Sequence, residues 1–406
     1  MSLSFGAELR LRRLAAGVSL TAFAKKIHYS KSFLSKVENG TKQPSSTLAR
    51  LCDAALSADG ALADLAAGRS SGAAGPSFDD PADLIEWTIR SEPIGPAIQS
   101  LGALPRSLST SLPDEAFGLL RSRFDDLRRL TQMLSPASML PTLMSEVRTL
   151  RLAAASTSAG QRAPLWLLAG RYAELTGWMT QEAGDDEGAL WWTGFAVKMA
   201  LASGDQEMSA YALVRQADIT MYRGNAADTI RLARLAQEAG SAPRIRGIAA
   251  QREAQGFAMA GDLNYCRRAL DRAASWLDHA DDLATGPQLG TSTVPDPVGM
   301  AAGWCLHDLG RPDEAAEKLA VQLDMIPQWA TRSRARLGAR YALALLVAGD
   351  MDTGCAALGR ALDDCDGLGS ATVLSDLRLA SKELHRHPKH RAAKATMPRL
   401  VDALAA

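Results

Sequence analysis

The chain has 406 residues, of which 47% are hydrophobic, 22% charged and 5% aromatic. This length suits two or three domains, and the composition excludes a disordered chain. Alanine and leucine are abundant, which favours helix over strand. The sequence lacks an apolar run of about 18 residues and a basic-then-apolar signal segment, so we expect a cytoplasmic protein without membrane contact.

The 45 basic and 45 acidic side chains cancel overall but are unevenly distributed. Residues 1–52 contain nine basic and two acidic residues, an excess of +7. The remaining 354 residues therefore contain 36 basic and 43 acidic residues, a balance of −7. This asymmetry indicates a small module for a polyanion joined to an acidic body.

Four short helices are predicted near the N-terminus. A helix over 5–16 is followed by a second that begins after the capping residue Ser19, a third that begins after Ser30, and a fourth that begins at Pro44-Ser45. The second and third helices, joined by a short turn, form a helix-turn-helix unit whose second helix enters the DNA major groove. Hydroxyls and lysines on its exposed face can donate hydrogen bonds to base edges and phosphates.

The segment GVSLTAFAKKIHYSKSFLSKVENGTKQPS resembles the lambda-repressor-like (Xre) helix-turn-helix family, chiefly through S-K-S-F-L-S-K-V-E-N-G followed by proline and serine. The resemblance implies a five-helix DNA-binding domain over residues 1–69, with Glu38 in a structural role. The residues expected to contact double-stranded DNA are Thr21, Ser30, Lys31, Ser32, Phe33, Ser35, Lys36 and Lys42.

Three positions depart from the family pattern. Leu20 replaces the glutamine that usually opens the second helix, so one phosphate contact is missing. His28 replaces the usual turn glycine, and we expect the turn to survive because histidine tolerates left-handed backbone better than most residues. Arg12 replaces a buried leucine of the first helix, with Leu11 or Leu14 expected to compensate.

Two segments connect this domain to the rest of the chain. Residues 70–81 belong to a stretch rich in Gly, Ser and Pro without an apolar period, which indicates a flexible linker. The interval 82–160 is punctuated by prolines and is interpreted as a helical adaptor. At the other end of the chain, residues 367–406 predict a final helix and a basic tail.

A repeat extends over residues 161–366. Loop glycines follow one another at intervals of 40, 37, 49 and 39 residues, at Gly184, Gly224, Gly261, Gly310 and Gly349. Small residues recur seven positions before, five after and twelve after each glycine, with Gln322 as the exception. Such spacing permits two antiparallel helices to pack closely, so it resembles tetratricopeptide repeats, with a generic helical bundle as the alternative. The longest interval contains a Pro/Gly-rich insertion over 285–299.

A stack of such hairpins forms a superhelix with a concave groove. The repeat register places on its inner wall Arg171, Glu174, Trp178, Tyr211, Asp218, Gln251, Gln255, Trp304, His307 and Arg336. Aromatic rings, amides and charges suit a peptide, a small-molecule ligand or a protein partner. The alternative for each residue is an ordinary place in the core between repeats.

Motifs for catalysis and metal binding are absent from the sequence, so we expect no enzyme, cofactor or metal site. The five cysteines are scattered without a C-x-x-C pair, which indicates buried, reduced thiols. The predicted fold is therefore all-α, with an N-terminal helix-turn-helix domain followed by a tetratricopeptide-like α-solenoid.

This layout is similar to that of the peptide-pheromone receptors of Gram-positive bacteria and resembles actinobacterial Xre regulators with helical-repeat bodies. It predicts a sequence-specific DNA-binding transcriptional regulator whose body senses a ligand, mediates dimerisation, or both. A homodimer is expected because one short recognition helix reads few base pairs. The alternative is a protein-interaction scaffold that sequesters or recruits another regulator, with DNA binding secondary.

Overall fold

The computed structural model describes residues 4–56, 58, 61–66, 113–240, 242–278 and 288–405. The predicted linker over 70–81 and the first part of the predicted adaptor lie outside these residues. The described part is all-α, as predicted, and its helices are numbered here in chain order. None of the helices in these ranges has the length and apolar character needed to cross a membrane.

Five short helices form the N-terminal domain, called the head below: α1 (Phe5–Ala15), α2 (Leu20–Lys26), α3 (Lys31–Glu38), α4 (Ser46–Leu56) and α5 (Ala61–Ala66). The hydroxyls of Ser19 and Ser30 cap α2 and α3, accepting hydrogen bonds from the backbone amides of Ala22 and Phe33 at 3.1 and 3.2 Å. His28 adopts a left-handed backbone with φ +54°. The turn between α2 and α3 therefore survives without its usual glycine.

The core of the head is formed by fully buried apolar side chains, among them Leu9, Phe23, Leu34 and Leu48. The expectation that Leu11 or Leu14 compensates for Arg12 was wrong, because these leucines are 56% and 59% exposed. On an α-helix they lie about 140–160° around the axis from Leu9, which occupies the core face. Arg12 pairs instead with Glu8 at 2.7 Å.

Arg13 is a buried cation of the head. Its guanidinium donates to both carboxylate oxygens of Glu38, at 2.6 and 2.9 Å, and to the carbonyl oxygen of Val18 at 2.8 Å. Both side chains of the ion pair are less than one-tenth exposed. The hydrogen bond to Glu38 raises the pKa of Arg13. Glu38 thus has a structural role, joining the end of α3 to α1.

The rest of the chain, called the body below, begins with α6 (Asp114–Leu130) and α7 (Pro136–Ser156). Helical hairpins follow, formed by α8 (Ala159–Glu182) with α9 (Asp186–Ser203), α10 (Glu207–Tyr222) with α11 (Ala226–Ala239), α12 (Pro243–Met259) with α13 (Leu263–Leu277), α14 (Pro297–Asp308) with α15 (Pro312–Met325), and α16 (Thr331–Ala348) with α17 (Met351–Cys365). The chain ends in α18 (Ala371–Leu384) and α19 (Arg391–Ala405).

The five predicted loop glycines are the turns of these hairpins, each with φ between 75° and 90°. All fifteen residues at the three predicted offsets are buried, including Gln322, whose side-chain amide donates to Asp296 at 2.9 Å. A Cβ on Gly177 would lie 3.1 Å from the Cβ of Trp192 and 3.2 Å from the carbonyl oxygen of Ala189 in the facing helix. Close packing at the predicted register therefore builds the helical repeats.

The last helices return to the first hairpin and close the superhelix. Glu182, at the end of α8, accepts hydrogen bonds from Thr372 at 2.9 Å and from Ser370, and forms an ion pair with Arg332 at 3.2 Å. Arg332 also donates to the carbonyl oxygen of Thr131 at 2.9 Å. These buried contacts join residues that are far apart in sequence, so the inner wall surrounds a cavity rather than an open groove.

The head packs against the C-terminal part of the body. Leu343 and Val347 of α16 belong to the same buried cluster as the head core. The guanidinium of Arg386 lies over the ring of Tyr29 and donates to the carbonyl oxygen of His28 at 3.2 Å. The turn that precedes α3 is therefore held by the body.

Candidate functional site

The first candidate site is the exposed surface around α3. Thr21, Ser30, Lys31, Ser32, Lys36 and Lys42 are exposed there, whereas Phe33 and Ser35 are half-buried. Leu34 and Val37 face the core, as predicted. The ring of Phe33 contacts that of Tyr29, with centroids 5.6 Å apart. Phe33 therefore packs against the turn before α3 and is only partly exposed on the predicted DNA-binding surface.

The charge exposed on this surface is positive. The carboxylates of Glu8 and Glu38 are paired with arginines, and that of Asp53 accepts a hydrogen bond from the backbone amide of Leu62 at 3.3 Å. The N-terminus of α3, capped by Ser30, adds the positive end of the helix dipole. Lysines, hydroxyls and a helix N-terminus together can bind phosphates and base edges.

The second candidate site is a cavity of about 460 Å³ inside the body, a volume typical of sites for small organic ligands. Eight of the ten predicted inner-wall residues line it: Arg171, Glu174, Trp178, Tyr211, Asp218, Gln251, Trp304 and Arg336.

The other two predicted residues, Gln255 and His307, are not part of the wall. Gln255 is 1% exposed and accepts a hydrogen bond from Arg252 at 2.9 Å. His307 is 5% exposed, and burial, aided by the charges of Arg50 in the head and Arg340 in α16, lowers its pKa to about 4. Both side chains are packed within the helical layers.

Wall residues from outside the repeat register come chiefly from two segments. They are α6 and the stretch 288–294, which belongs to the predicted insertion. Arg128 of α6 donates to the carbonyl oxygen of Gly290 and so joins the two segments. Arg244 donates to the carbonyl oxygens of Leu289 and Thr291, both at 2.8 Å. The described part of the predicted adaptor thus covers the cavity together with the insertion.

One recurring wall position lies outside the sequence prediction. Arg215, Arg252 and Arg340 each stand nine residues before a turn glycine, and all line the cavity. Asp218 accepts hydrogen bonds from Arg215 at 3.0 Å and from Arg252, while Asp376 pairs with Arg340 at 2.7 Å. The signal was present in the sequence, because this offset is three or four residues from the predicted ones and lies on the same helix face.

The wall of the cavity is strongly cationic. It contains nine arginines against four carboxylates, an excess of five formal positive charges. Burial raises the pKa of Glu174, against the opposing effect of Arg215, Arg128 and Arg171. The cavity therefore favours anions.

Several polar groups of the wall have no hydrogen-bond partner. Arg336 lies between the rings of Tyr222 and Trp304, with its guanidinium carbon 5.1 and 5.2 Å from the ring centroids. The Nε of Arg336, the Nε of Arg340 and the Nε2 of Gln251 are buried without a partner. Gln251 and Arg340 are only 3% and 7% exposed. Because natural proteins pair nearly all buried polar groups, these donors make the cavity a candidate binding site.

Residues 4–66, which comprise the head, match the model of a family described as helix-turn-helix domain. This match supports a role in DNA-binding regulation. No curated protein and no solved structure matches the chain.

Proposed function

We propose that the protein is a sequence-specific DNA-binding transcriptional regulator whose tetratricopeptide-like body senses a compact ligand. The observation that carries this proposal is the double role of α16. It lines the cavity through Arg336, Leu337 and Arg340, and it packs Leu343 and Val347 into the core of the head. A single helix thus lines one candidate site and packs against the domain that carries the other.

DNA binding places α3 in the major groove. Lys31, Ser32 and Ser35 read base edges, while Lys36 and Lys42 bind phosphates. One recognition helix reads few base pairs, so the protein acts as a homodimer on two half-sites.

The ligand acts on the head through α16. Leu343 is less than one helical turn beyond Arg340, so a ligand that draws the arginine toward the cavity also displaces the side chains packed in the head. The contact of Arg386 with Tyr29 transmits the movement to the turn before α3. Ligand occupancy thereby changes the relative placement of the two heads, provided that the ligand binds one arrangement more tightly than the other.

Selection of fragments from a random-sequence DNA pool by the intact protein tests the proposal. The wild type enriches a defined motif, and the double variant Lys31→Ala with Ser35→Ala loses it while keeping its melting temperature. Each lost base contact weakens binding by about 1–3 kcal/mol. Lys198→Ala, which removes an exposed lysine of the body, is the matched control and keeps the motif. Failure to enrich any motif, or equal enrichment by the double variant, contradicts the proposal and favours a scaffold.

A further inference from the structure

We propose that the cavity of the body binds a compact organic anion. Its carboxylate or phosphate oxygens accept hydrogen bonds from unpartnered donors of the wall, Arg336 and Gln251 among them, and its apolar part packs on the surrounding hydrophobic side chains. This inference rests on the ligand-sensing function proposed above and names the chemical class of the ligand.

The sign of the ligand's charge follows from the wall. Nine arginines line the cavity with four carboxylates. Carboxylates outside the wall pair with two of these arginines, Asp205 with Arg171 and Asp376 with Arg340, and an excess of positive charge is left that an anionic ligand compensates. Arg336 forms no ion pair with the described residues, in contrast to Arg215 and Arg340. Burial disfavours its charge, but Tyr222 and more distant carboxylates outweigh this effect and raise the pKa of Arg336. Its guanidinium therefore stays charged and available to an oxyanion.

The unpartnered polar atoms of the wall also indicate an anionic ligand, because they are hydrogen-bond donors. The unpartnered wall atoms at Arg336, Arg340 and Gln251 are N–H groups, and the hydroxyl of Tyr222 is also unpartnered. Carboxylate oxygens without a hydrogen bond occur in the described ranges at Asp376 and at Asp205, where the oxygen forms an ion pair with Arg171, but neither aspartate lines the cavity. A ligand that satisfies this wall must supply acceptors, which carboxylates and phosphates do.

The size and apolar content of the cavity indicate an organic molecule. A volume of about 460 Å³ greatly exceeds that of an inorganic phosphate ion, and the wall includes Ile248, Leu277, Met300 and Trp329. An extended peptide is disfavoured because α6 and the stretch 288–294 cover the groove along which it would lie. The limited volume and this lining therefore favour a compact anion with an apolar part.

A matched pair of fluorescent dyes tests the charge requirement. 8-Anilinonaphthalene-1-sulfonate is a compact aromatic anion, and N-phenyl-1-naphthylamine has the same ring system without the charge. In titrations of the intact protein, the anionic dye is expected to bind with one site per chain and at least about tenfold more tightly than the neutral dye. This is the fold-change that one hydrogen bond to a charged group provides.

Two variants locate the site. Arg336→Gln weakens binding of the anionic dye by at least about tenfold and leaves the neutral dye unaffected. Gln251→Leu weakens the anionic dye while keeping or raising the melting temperature of the free protein, because it removes a buried donor that has no partner. A purely structural Gln251 would give the opposite change in melting temperature. The matched control is Arg360→Gln, at an exposed arginine of α17. It changes neither the binding of the anionic dye nor the melting temperature.

Competition distinguishes the two possible head groups. Phenylacetate and phenyl phosphate are each used to displace the anionic dye, with neutral phenylacetamide as the control. Displacement by the carboxylate or by the phosphate supports the proposal and identifies the preferred group. Equal binding of both dyes, insensitivity to Arg336→Gln, or displacement by neither anion overturns it. None of these results involves DNA, so failure here leaves the DNA-binding proposal to be judged by fragment selection.

Discussion

The head and the cavity are both cationic, but they present their charges in different ways. Lys31, Lys36 and Lys42 stand in solvent on the surface of the head. In the cavity, Arg336 lies between aromatic rings and Arg340 is held by a carboxylate and the ring of Trp304. Hydrated, flexible lysines suit a polyanion whose phosphates repeat along a surface, whereas oriented guanidinium groups suit one small anion of defined shape. The same sign of charge therefore serves two kinds of ligand.

The buried ion pair of the head gives the largest expected effect and separates the stability of the two regions. Glu38→Ala leaves Arg13 buried without its partner and lowers the free energy of unfolding of the head by about 3–5 kcal/mol. Glu8→Ala removes a more exposed pair and costs at most about 1 kcal/mol. DNA binding reports the head, while tryptophan fluorescence reports the body, because residues 1–69 contain no tryptophan. A Glu38→Ala protein with normal DNA binding would show that the pair is dispensable.

At the boundary between the regions, His307 predicts a pH dependence. Its folded-state pKa of about 4 lies below the ordinary value of 6.5, so the neutral imidazole is favoured by folding. The resulting stabilisation is fully present above pH 6.5 and is lost as the pH falls toward 4, by about 2–3 kcal/mol. His307→Gln should lose correspondingly less stability than the wild type between pH 7 and pH 4.5, measured by urea unfolding. The exposed control His385→Gln should behave as the wild type; identical losses in all three proteins would refute the assignment.

The stability of the body depends on close packing of the two helices in each hairpin, whereas the DNA-binding surface of the head is exposed. Ala217, Ala254 and Ala342 are fully buried where the two helices of a hairpin pack closely. Leucine at any one of them adds three heavy atoms there and lowers the free energy of unfolding by about 1–3 kcal/mol. Leucine at the exposed Ala227 should cost at most about 0.5 kcal/mol. Melting followed by tryptophan fluorescence measures the difference. Equal melting temperatures for all four variants would rule out the repeat register.

Local signals made the head and the hairpins predictable from sequence. The capping serines and the left-handed His28 act within a few residues, so their effects can be read from neighbouring positions. The turn glycines carry the same information once per hairpin, and their fixed distances from small residues defined the register. Eight of the ten residues that this register placed on the inner wall line the cavity.

The cover and closure of the cavity could not be predicted in this way. The helix α6 and the stretch 288–294 have no counterpart in the repeat, so no periodicity placed them over the groove. The contact between Glu182 and Arg332 joins residues 150 positions apart, and nothing local to either residue indicates it. An unpartnered donor such as that of Gln251 can be recognised only from the three-dimensional positions of all the atoms around it.

The salt dependence of DNA binding tests the central claim, that the exposed lysines of the head bind a polyanion, most directly. With a fragment selected as above, the logarithm of the affinity of the intact protein should fall linearly with the logarithm of salt concentration, by about 0.9 per phosphate contact. Lys36→Ala and Lys42→Ala should each reduce this slope by about 0.9, while Lys198→Ala leaves it unchanged. A flat dependence in the wild type, or a slope that neither head variant reduces, would contradict the claim.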